Sequence, residues 1–307
     1  MKYALILLLG PGQKEIDRLL DLIYSLRVCQ SLLDSEADFV IVNDGNVLLE
    51  QLNFVKSYFN GFHIIDNPLY GKSKVVFDRH ASGVISGVDF VLENLDVQFA
   101  IKLDTDVFCI NSFANRVKLF FEKNNQVGIA GTYLTWPKGE CRKPAFLDWA
   151  SRIENVHKKP FIKIFLIALM TRKWTSIRCH FFRKKMFSLA LKNGYAYGVH
   201  IMGGAYAISS ELMHRWKSLG YLRYPDLFER SYLGEDSVVT IMAFAAGFQL
   251  GCFNANDDVF GVWYRAPELS PQELYESGFS LIHSIKDADP DAERVLRDKY
   301  KRLLKTI

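Results

Sequence analysis

The sequence lacks the features that mark disulfide-stapled, zinc-binding or membrane-spanning chains. Its 307 residues include five cysteines, an odd number that are widely spaced and form no CxxC pair. A disulfide framework and a structural zinc site are both disfavoured, and we expect a reducing, cytoplasmic compartment. No apolar run reaches the ~18 residues that span a bilayer. The sequence also contains no internal repeat and no low-complexity tract.

The composition is that of a folded globular protein. Hydrophobic residues make up 49% of the chain, charged residues make up 23%, and the net charge is only +4. A chain of this length forms one large domain or two modest halves and buries a sizeable core. Disorder is therefore not expected, and the distribution of charge is more informative than its sum.

The apolar run at the start of the chain reads as a β-strand. Met1 and Lys2 followed by the apolar residues 3–9 superficially resemble a signal peptide, but no small-residue cleavage site follows. Gly10-Pro11-Gly12 comes instead. This triplet is a poor dinucleotide-binding fingerprint, because the third glycine is missing and the proline removes a backbone amide.

Strand-like and helix-like segments alternate over the first 110 residues. Continuous apolar runs predict strands, and apolar residues at helical spacing predict the helices between them. This alternation favours an α/β fold with a mainly parallel sheet covered by helices on both faces. The predicted strands are 3–9, 39–42, 62–65 and 99–104, and the predicted helices are 16–28 and 73–92, the second capped by Ser73.

Acidic side chains follow three of these predicted strands. They are Asp44, Asp66 and the pair Asp104 and Asp106, in the run Lys102-Leu103-Asp104-Thr105-Asp106. The carboxyl ends of parallel strands are where α/β proteins bind ligands. Two carboxylates in an apolar stretch favour a divalent cation, which prefers oxygen ligands. A plain turn between two strands remains the alternative for Asp-Thr-Asp alone.

A basic and apolar segment occupies residues 138–185. Thirteen lysines and arginines lie there against three acidic residues, with large apolar side chains between them. This pattern is typical of an interfacial helix that contacts an anionic membrane surface. The alternative is a core helix with a solvated basic rim. Nucleic acid is not expected as a partner, because no recognised binding module accompanies the charge.

Three further motifs follow this segment. Gly203 and Gly204 precede a predicted strand, and glycine allows a ligand to approach the backbone closely. Glu235 and Asp236 precede an apolar helix, where helix capping is the alternative to a chemical role. His283 comes late in the chain, before an amphipathic helix predicted over 291–307.

This order of motifs resembles that of the GT-A nucleotide-sugar glycosyltransferases. The downstream part is most similar to the β-1,3-galactosyltransferase and fringe-type enzymes and to the bacterial family-2 transferases. The resemblance implies one GT-A domain with a mixed, mainly parallel sheet. Residues 1–110 would form its nucleotide-sugar-binding half and 111–307 its acceptor-binding half. The second half would include a basic helical insertion at about 138–197 and a C-terminal amphipathic helix at about 290–307.

The resemblance also implies the roles of the acidic residues and of the late histidine. Asp106 would hold Mn²⁺ or Mg²⁺, with His283 as a further ligand and Asp104 beside the metal or the ribose. Asp236 would take the proton of the acceptor hydroxyl, and Glu235 would orient it or bind the acceptor. One such base without a second nucleophile favours inversion over retention.

The remaining predicted site residues would contact the donor. Asp44 matches the acid that reads the nucleobase, although family-2 enzymes carry two consecutive acids where this chain has Asn43 and Asp44. Lys74 and Arg79, near a helix start, would meet phosphate or ribose, with a solvated basic turn as the alternative. Gly203 and Gly204 would line the donor sugar, and Trp263 or Tyr264 would stack on a sugar face, with a place in the core as the alternative for these aromatic residues.

The function implied is transfer of a hexose or N-acetylhexosamine from a UDP-sugar to a hydroxyl of a glycan or lipid-linked acceptor. A bacterial-type polysaccharide assembly enzyme, peripheral at the inner face of the membrane, would fit. The alternatives are a non-catalytic accessory protein that binds polysaccharide or membrane, and a sugar nucleotidyltransferase. A haloacid-dehalogenase-type phosphohydrolase is disfavoured, because Phe108 holds the position where that class has a hydroxyl residue.

Overall fold

The computed structural model of the chain describes residues 2–30, 37–56, 59, 61–137, 139–160, 162, 175–253 and 258–306. Its first part alternates strands and helices as the apolar pattern predicts. The elements are β1 (Tyr3–Leu9), α1 (Gln13–Gln30), β2 (Ala37–Asn43), α2 (Asn53–Lys56), β3 (Gly61–Asp66), α3 (Val76–Asn94) and β4 (Phe99–Asp104).

The rest of the described chain adds a second small sheet and a larger share of helix. Its elements are β5 (Phe108–Cys109), α4 (Ala114–Lys123), β6 (Val127–Gly131), α5 (Lys143–Lys158), α6 (Thr175–Lys192), β7 (Ala205–Ser209), α7 (Ser210–Ser218), α8 (Glu235–Ala245), β8 (Gln249–Gly251), β9 (Phe260–Val262), α9 (Pro271–Glu276), β10 (Leu281–His283) and α10 (Pro290–Leu303).

The main sheet has seven strands in the order β3-β2-β1-β4-β7-β6-β8. Four of its neighbouring pairs are parallel, and β7 runs antiparallel to both β4 and β6. Helices cover both faces, since alternate residues of β1 enter different cores: Ile6 packs on the α3 and α8 side, and Leu5 and Leu7 pack on the α1 side. Burial on both faces explains why β1 is continuously apolar. The predicted mixed, mainly parallel α/β fold is confirmed.

The second sheet brings the late part of the chain onto the end of β4. Its order is β5-β10-β9. The antiparallel pairing of β10 with β5 places Ile282 opposite Phe108, and the amide of Ile285 donates to the carbonyl oxygen of Asp106 at 2.9 Å. His283 is therefore held beside the Asp-Thr-Asp motif by backbone pairing.

The C-terminal helix α10 is bound to α1 by ion pairs. Arg18 binds Glu293 through two nitrogens at 2.6 and 2.8 Å, and Arg297 Nε lies 2.7 Å from Asp21 Oδ2. A bidentate arginine–carboxylate pair is the strongest common form of such a contact. The predicted amphipathic helix is thus present over Pro290–Leu303, and it is attached next to the start of α1.

One local expectation, the cap of α3, is wrong. Ser73 does not cap α3: Val75 is the residue before the helix, and the Ser73 hydroxyl donates to Asp78 at 3.1 Å.

In the basic segment the described residues form α5 and α6, while positions 138, 161 and 163–174 lie outside the described residues. In the described part of the chain, no helix is long and apolar enough to cross a membrane.

Candidate functional site

Two carboxylates and one imidazole meet at the end of β4. Single ligand atoms of Asp104, Asp106 and His283 all lie within 4.8 Å of one another. His283 Nε2 is 3.3 Å from Asp106 Oδ1 and 3.7 Å from Asp104 Oδ2. The structure therefore brings together the three residues expected to hold a metal.

The orientation of His283 suits a metal ligand. Its Nδ1 lies 3.0 Å from the carbonyl oxygen of Trp263, so Nδ1 carries a hydrogen and Nε2 is the nitrogen available to a metal. Nε2 is buried and makes no well-formed hydrogen bond with any described residue. One imidazole nitrogen that faces two carboxylates is a donor set that fits Mn²⁺ or Mg²⁺.

The Asp106 carboxylate is kept ionised. Burial alone would raise its pKa, but His283 and Lys286 outweigh burial and hold the pKa of Asp106 well below its ordinary value. Lys286 Nζ lies 2.7 Å from Asp106 Oδ2, and the Ser284 hydroxyl donates to the same oxygen at 3.1 Å. Lys286 is half-exposed, so its ammonium group can turn toward an anionic ligand beside the metal site.

A buried lysine that the sequence reasoning did not single out links the two acidic motifs. Lys102 is 1% exposed, and its ammonium group contacts Asp104 Oδ1 at 2.5 Å, the Gly203 carbonyl at 2.5 Å and Glu235 Oε1 at 3.0 Å. Burial alone would lower its pKa, but Asp104 and Glu235 outweigh burial and raise the pKa of Lys102. Lys102 therefore stays charged and holds β4 against the start of α8.

The two acids at the start of α8, Glu235 and Asp236, have different pKa values, and Lys102 contributes to this difference. Burial opposes ionisation of Glu235, yet Lys102 and His80 lower the pKa of Glu235 to about 2. For Asp236, burial and then the charge of Glu235 raise the pKa to about 7. Two adjacent carboxyl groups with pKa values so far apart are typical of a division of roles, one as fixed charge and one as proton acceptor.

Replacing Lys102 by methionine is expected to destabilise the fold by about 3 kcal/mol, because the buried Glu235 carboxylate and the partly exposed Asp104 carboxylate lose their counter-ion. Chemical denaturation measures the change. Lys123→Met, at an exposed position that ends α4, is the matched control. A change in the free energy of unfolding within about 0.5 kcal/mol for Lys102→Met, as for ordinary surface changes, would contradict this reading of the ion cluster.

A cavity of about 330 Å³ opens beside the metal site, and its lining includes residues from three strand ends. Inside it, Arg79 Nε binds Asp44 Oδ2 at 2.9 Å, and the Asn67 amide donates to Asp44 Oδ1 at 3.1 Å. Of the residues expected to contact a donor, Asp44, Arg79, Asp104 and Asp106 all line this cavity. Lys74 is exposed and is not among its lining residues.

The two glycines fit closely under the acidic groups. A Cβ on Gly203 would lie 2.5 Å from Glu235 Oε1, and one on Gly204 would lie 2.3 Å from His283 Cγ. The structure thus requires glycine at both positions, next to the metal site and next to the Glu235 carboxylate. Their space is taken by protein side chains.

The two aromatic residues expected to stack on a sugar have different surroundings. Trp263 is partly buried, and it packs edge-on against Phe279 and against the cluster under α10. Its neighbour Tyr264 is exposed and meets Trp136 edge-to-face at 5.3 Å.

Fully buried Arg142 supports this pair, since its guanidinium lies 5.0 Å from the centre of the Trp136 ring. Sequence reasoning named Tyr264 but missed Trp136 and Arg142, because only the fold brings the loop before α5 against residue 264.

Three solved structures show a similar fold: a mannosyltransferase from Pyrobaculum calidifontis in complex with GDP-Man and Mn²⁺, the glycosyltransferase GlyE of Streptococcus pneumoniae, and TarS of S. aureus. Their sequence identities to this chain are 9%, 12% and 10%, and the TM-scores are 0.44, 0.47 and 0.48. Each comparison covers 99% of this chain, which spans only 63%, 62% and 43% of the three structures.

No protein-family model matches the chain, and no curated protein sequence matches it. The chain's own sheet is mixed, and the Asp-Thr-Asp motif follows at the end of β4, as the resemblance of its motifs implies. At these identities and TM-scores no property of the three solved structures is carried over to this chain.

Proposed function

We propose that this protein is a metal-dependent glycosyltransferase that uses a nucleoside-diphosphate sugar. One observation carries the proposal: a set of metal ligands at the end of β4 is joined through buried Lys102 to a second carboxyl motif, in which Asp236 has a pKa of about 7. The first group suits a diphosphate with its cation, and the second suits removal of a proton from a hydroxyl.

The donor diphosphate would lie in the cavity beside Asp104 and Asp106. These two carboxylates and His283 Nε2 would hold Mn²⁺ or Mg²⁺. A bound divalent cation supplies Lewis-acid stabilisation of the negative charge that develops on the leaving nucleoside diphosphate. Lys286 adds a positive charge at the same place, because its ammonium group already lies against Asp106.

The nucleoside would extend toward the Asp44–Arg79 pair. Both side chains line the cavity, and their mutual contact orients the Asp44 carboxylate. A fixed carboxylate accepts hydrogen bonds from an N–H group of a base or from ribose hydroxyls. We propose a UDP-sugar carrying a hexose or N-acetylhexosamine as the donor.

The acceptor would lie on the side of Asp236. A hydroxyl loses its proton to the Asp236 carboxylate as its oxygen attacks the sugar carbon from the face opposite the diphosphate. The Glu235 carboxylate is bound by Lys102. The role of Glu235 is therefore to provide the negative charge that raises the pKa of Asp236. A single base of this kind supports an inverting reaction. Trp136 and Tyr264 offer aromatic faces for a sugar ring of a glycan or lipid-linked acceptor.

The cellular setting is part of the same proposal. The basic segment between 138 and 185 favours peripheral contact with an anionic membrane surface on the cytoplasmic side, in keeping with assembly of a surface polysaccharide. A non-catalytic accessory protein with this fold would keep the cavity but would not need Asp236 at a pKa of about 7.

Calorimetric titration with UDP tests the donor half of the proposal. We expect UDP to bind in the presence of Mn²⁺ and to bind much more weakly after chelation, because the diphosphate and the carboxylates repel each other without a cation. Slow hydrolysis of a UDP-sugar without acceptor should accompany binding. Equal affinity with and without metal would contradict the proposed site, and binding without any turnover would favour the accessory protein.

The pH dependence of transfer tests the role of Asp236. A base works when it is deprotonated, so raising its pKa to about 7 means that activity is lost as the pH falls through this value. We expect kcat/KM to rise about tenfold between pH 6 and pH 8, following the deprotonated fraction. Glu235, with a pKa of about 2, remains ionised throughout. A flat profile across this range would assign the proton to another group.

A further inference from the structure

A second cavity, of about 490 Å³, lies outside the donor cavity and is lined by five cationic side chains. They come from α5 and the turn that follows it, from α6, and from the loop that precedes Glu235. No carboxylate is among the described residues that line it. The cationic side chains are Arg152, Lys158, Lys159, Arg183 and Arg230, and Asn155, Ser231 and Tyr232 add polar groups.

Some of these cationic side chains are stabilised by the local structure. Lys158 and Lys159 lie at the C-terminal end of α5, where cations stabilise the helix dipole, and Lys158 binds Glu154 at 2.5 Å. Arg152 lies over the Trp149 ring at 4.4 Å, and Arg183 and Arg230 line the same cavity from two other elements. Arg230 makes a long contact with an acid, at 3.8 Å to Glu229 Oε1.

The acids around Arg183 do not fully balance the cost of burying its positive charge. Its guanidinium donates to the main-chain carbonyl of Glu229 at 3.3 Å. Burial lowers the pKa of Arg183, so the acids around it do not offset its lost hydration. A buried arginine is normally paired with an anion, and an anionic ligand would complete its surroundings.

The loop that borders this cavity has an unusual backbone. Arg230 and Tyr232 both adopt a φ of 59°, the left-handed region that side chains other than glycine rarely occupy. Buried Asp78 holds this conformation, because its Oδ2 accepts from the Arg230 amide at 2.8 Å. Backbone strain of this kind is concentrated at ligand-binding sites. The same loop runs directly into Glu235 and Asp236.

We propose that this basic cavity binds a phosphate group of an anionic ligand. Guanidinium groups bind phosphate oxygens in pairs of parallel hydrogen bonds, and Arg152, Arg183 and Arg230 can approach one phosphate from three sides. The phosphate belongs either to a soluble phosphate ester or to a phospholipid headgroup. The loop with Arg230 and Tyr232 leads to Asp236, the proposed base. We therefore infer that the phosphate ligand is the acceptor or carries it, and this part of the inference rests on the proposed function.

Binding of inorganic pyrophosphate in EDTA tests the cavity itself, since chelation removes the metal on which the donor site depends. We expect saturable binding by calorimetry and at least a tenfold loss of affinity in Arg152→Gln/Arg230→Gln. The control Lys123→Gln/Arg302→Gln removes the same charge from exposed positions elsewhere and should bind like the wild type. Arg183→Gln, checked for folding by thermal denaturation, should lose affinity as well.

Vesicle sedimentation separates the two sources of phosphate. If vesicles of phosphatidylglycerol pellet the wild type, vesicles of phosphatidylcholine do not, and the double variant is lost from the pellet, the ligand is a headgroup. Pyrophosphate binding without vesicle binding assigns a soluble phosphate ester. The proposal is overturned if neither probe binds, or if the double variant and the control bind equally.

Metal-dependent UDP binding is measured on the same proteins. It distinguishes a failure of the proposed transferase function from a failure of the phosphate-binding cavity. The double variant should bind UDP with Mn²⁺ as the wild type does, because neither residue lines the donor cavity. Loss of metal-dependent UDP binding in the wild type would count against the proposed transferase and leave the phosphate cavity standing.

Discussion

Replacing Asp106 by alanine is expected to lower sugar transfer by at least about a thousandfold, since a metal ion contributes several kcal/mol to stabilising the departing charge. Asp106 is the most buried carboxylate of the set and faces His283, Ser284 and Lys286. Without it, the remaining pair of ligands would hold a divalent cation poorly. Affinity for UDP should then become the same with and without Mn²⁺, which calorimetry measures directly.

The variant should remain folded, which makes the test informative. Lys286 is half-exposed and can turn into water when its partner is removed, and the backbone contact between residues 106 and 285 does not depend on the side chain. Asp298→Ala, a carboxylate lost from the surface of α10, is the matched control and should leave transfer unchanged. If Asp106→Ala kept metal-dependent UDP binding, the metal would have to lie elsewhere.

The apolar pattern of the sequence was sufficient for the first half of the fold. Residues 3–9 and 39–42 are continuously apolar because helices cover both faces of the sheet, and this burial makes parallel strands recognisable. The cap of α3 was predicted wrongly at Ser73. A hydroxyl before a helix has several possible partners, and buried Asp78 takes this one. Local sequence does not reveal such a competition.

The candidate site was predicted only in part, because some of its contacts join residues that are far apart in the sequence. Asp104 and Asp106 are adjacent in the chain, and His283 was found through the resemblance. Lys102 carried a signal of its own: it lies two residues before Asp104 in a buried strand, so both side chains point to the same face. Its contact with Glu235 spans 133 residues and depends on the tertiary fold.

The residues around the proposed acceptor side were the least predictable. Trp136 and Arg142 belong to the loop before α5, and they meet Tyr264, which follows β9, only in the folded chain. The excess of positive charge after residue 138 was visible, but sequence offered a membrane surface and a core helix with a basic rim as alternatives. The structure adds a third arrangement, because two arginines of this segment converge with Arg230 at one cavity.

Replacing Asp236 by asparagine should reduce turnover about 10²–10⁴-fold while nucleotide binding is retained. Asparagine has nearly the same shape, and its oxygen can still accept from the Ser237 amide, which lies 2.6 Å from Asp236 Oδ1. Asp236 does not line the donor cavity, so UDP and Mn²⁺ should bind as in the wild type. Rates of sugar transfer, together with UDP titration of the same protein, measure both effects.

The same substitution separates proton transfer from helix capping. If Asp236 served only the start of α8, asparagine would cost at most about 1 kcal/mol of stability and would leave turnover intact, because asparagine is itself a good residue at helix starts. As the base, its loss should also remove the rise in activity with a midpoint near pH 7. The Asp298→Asn control, at a half-exposed position of α10, should keep both the rate and the pH profile. Full turnover in Asp236→Asn would therefore remove the proposed base and leave Glu235 only as the structural partner of Lys102.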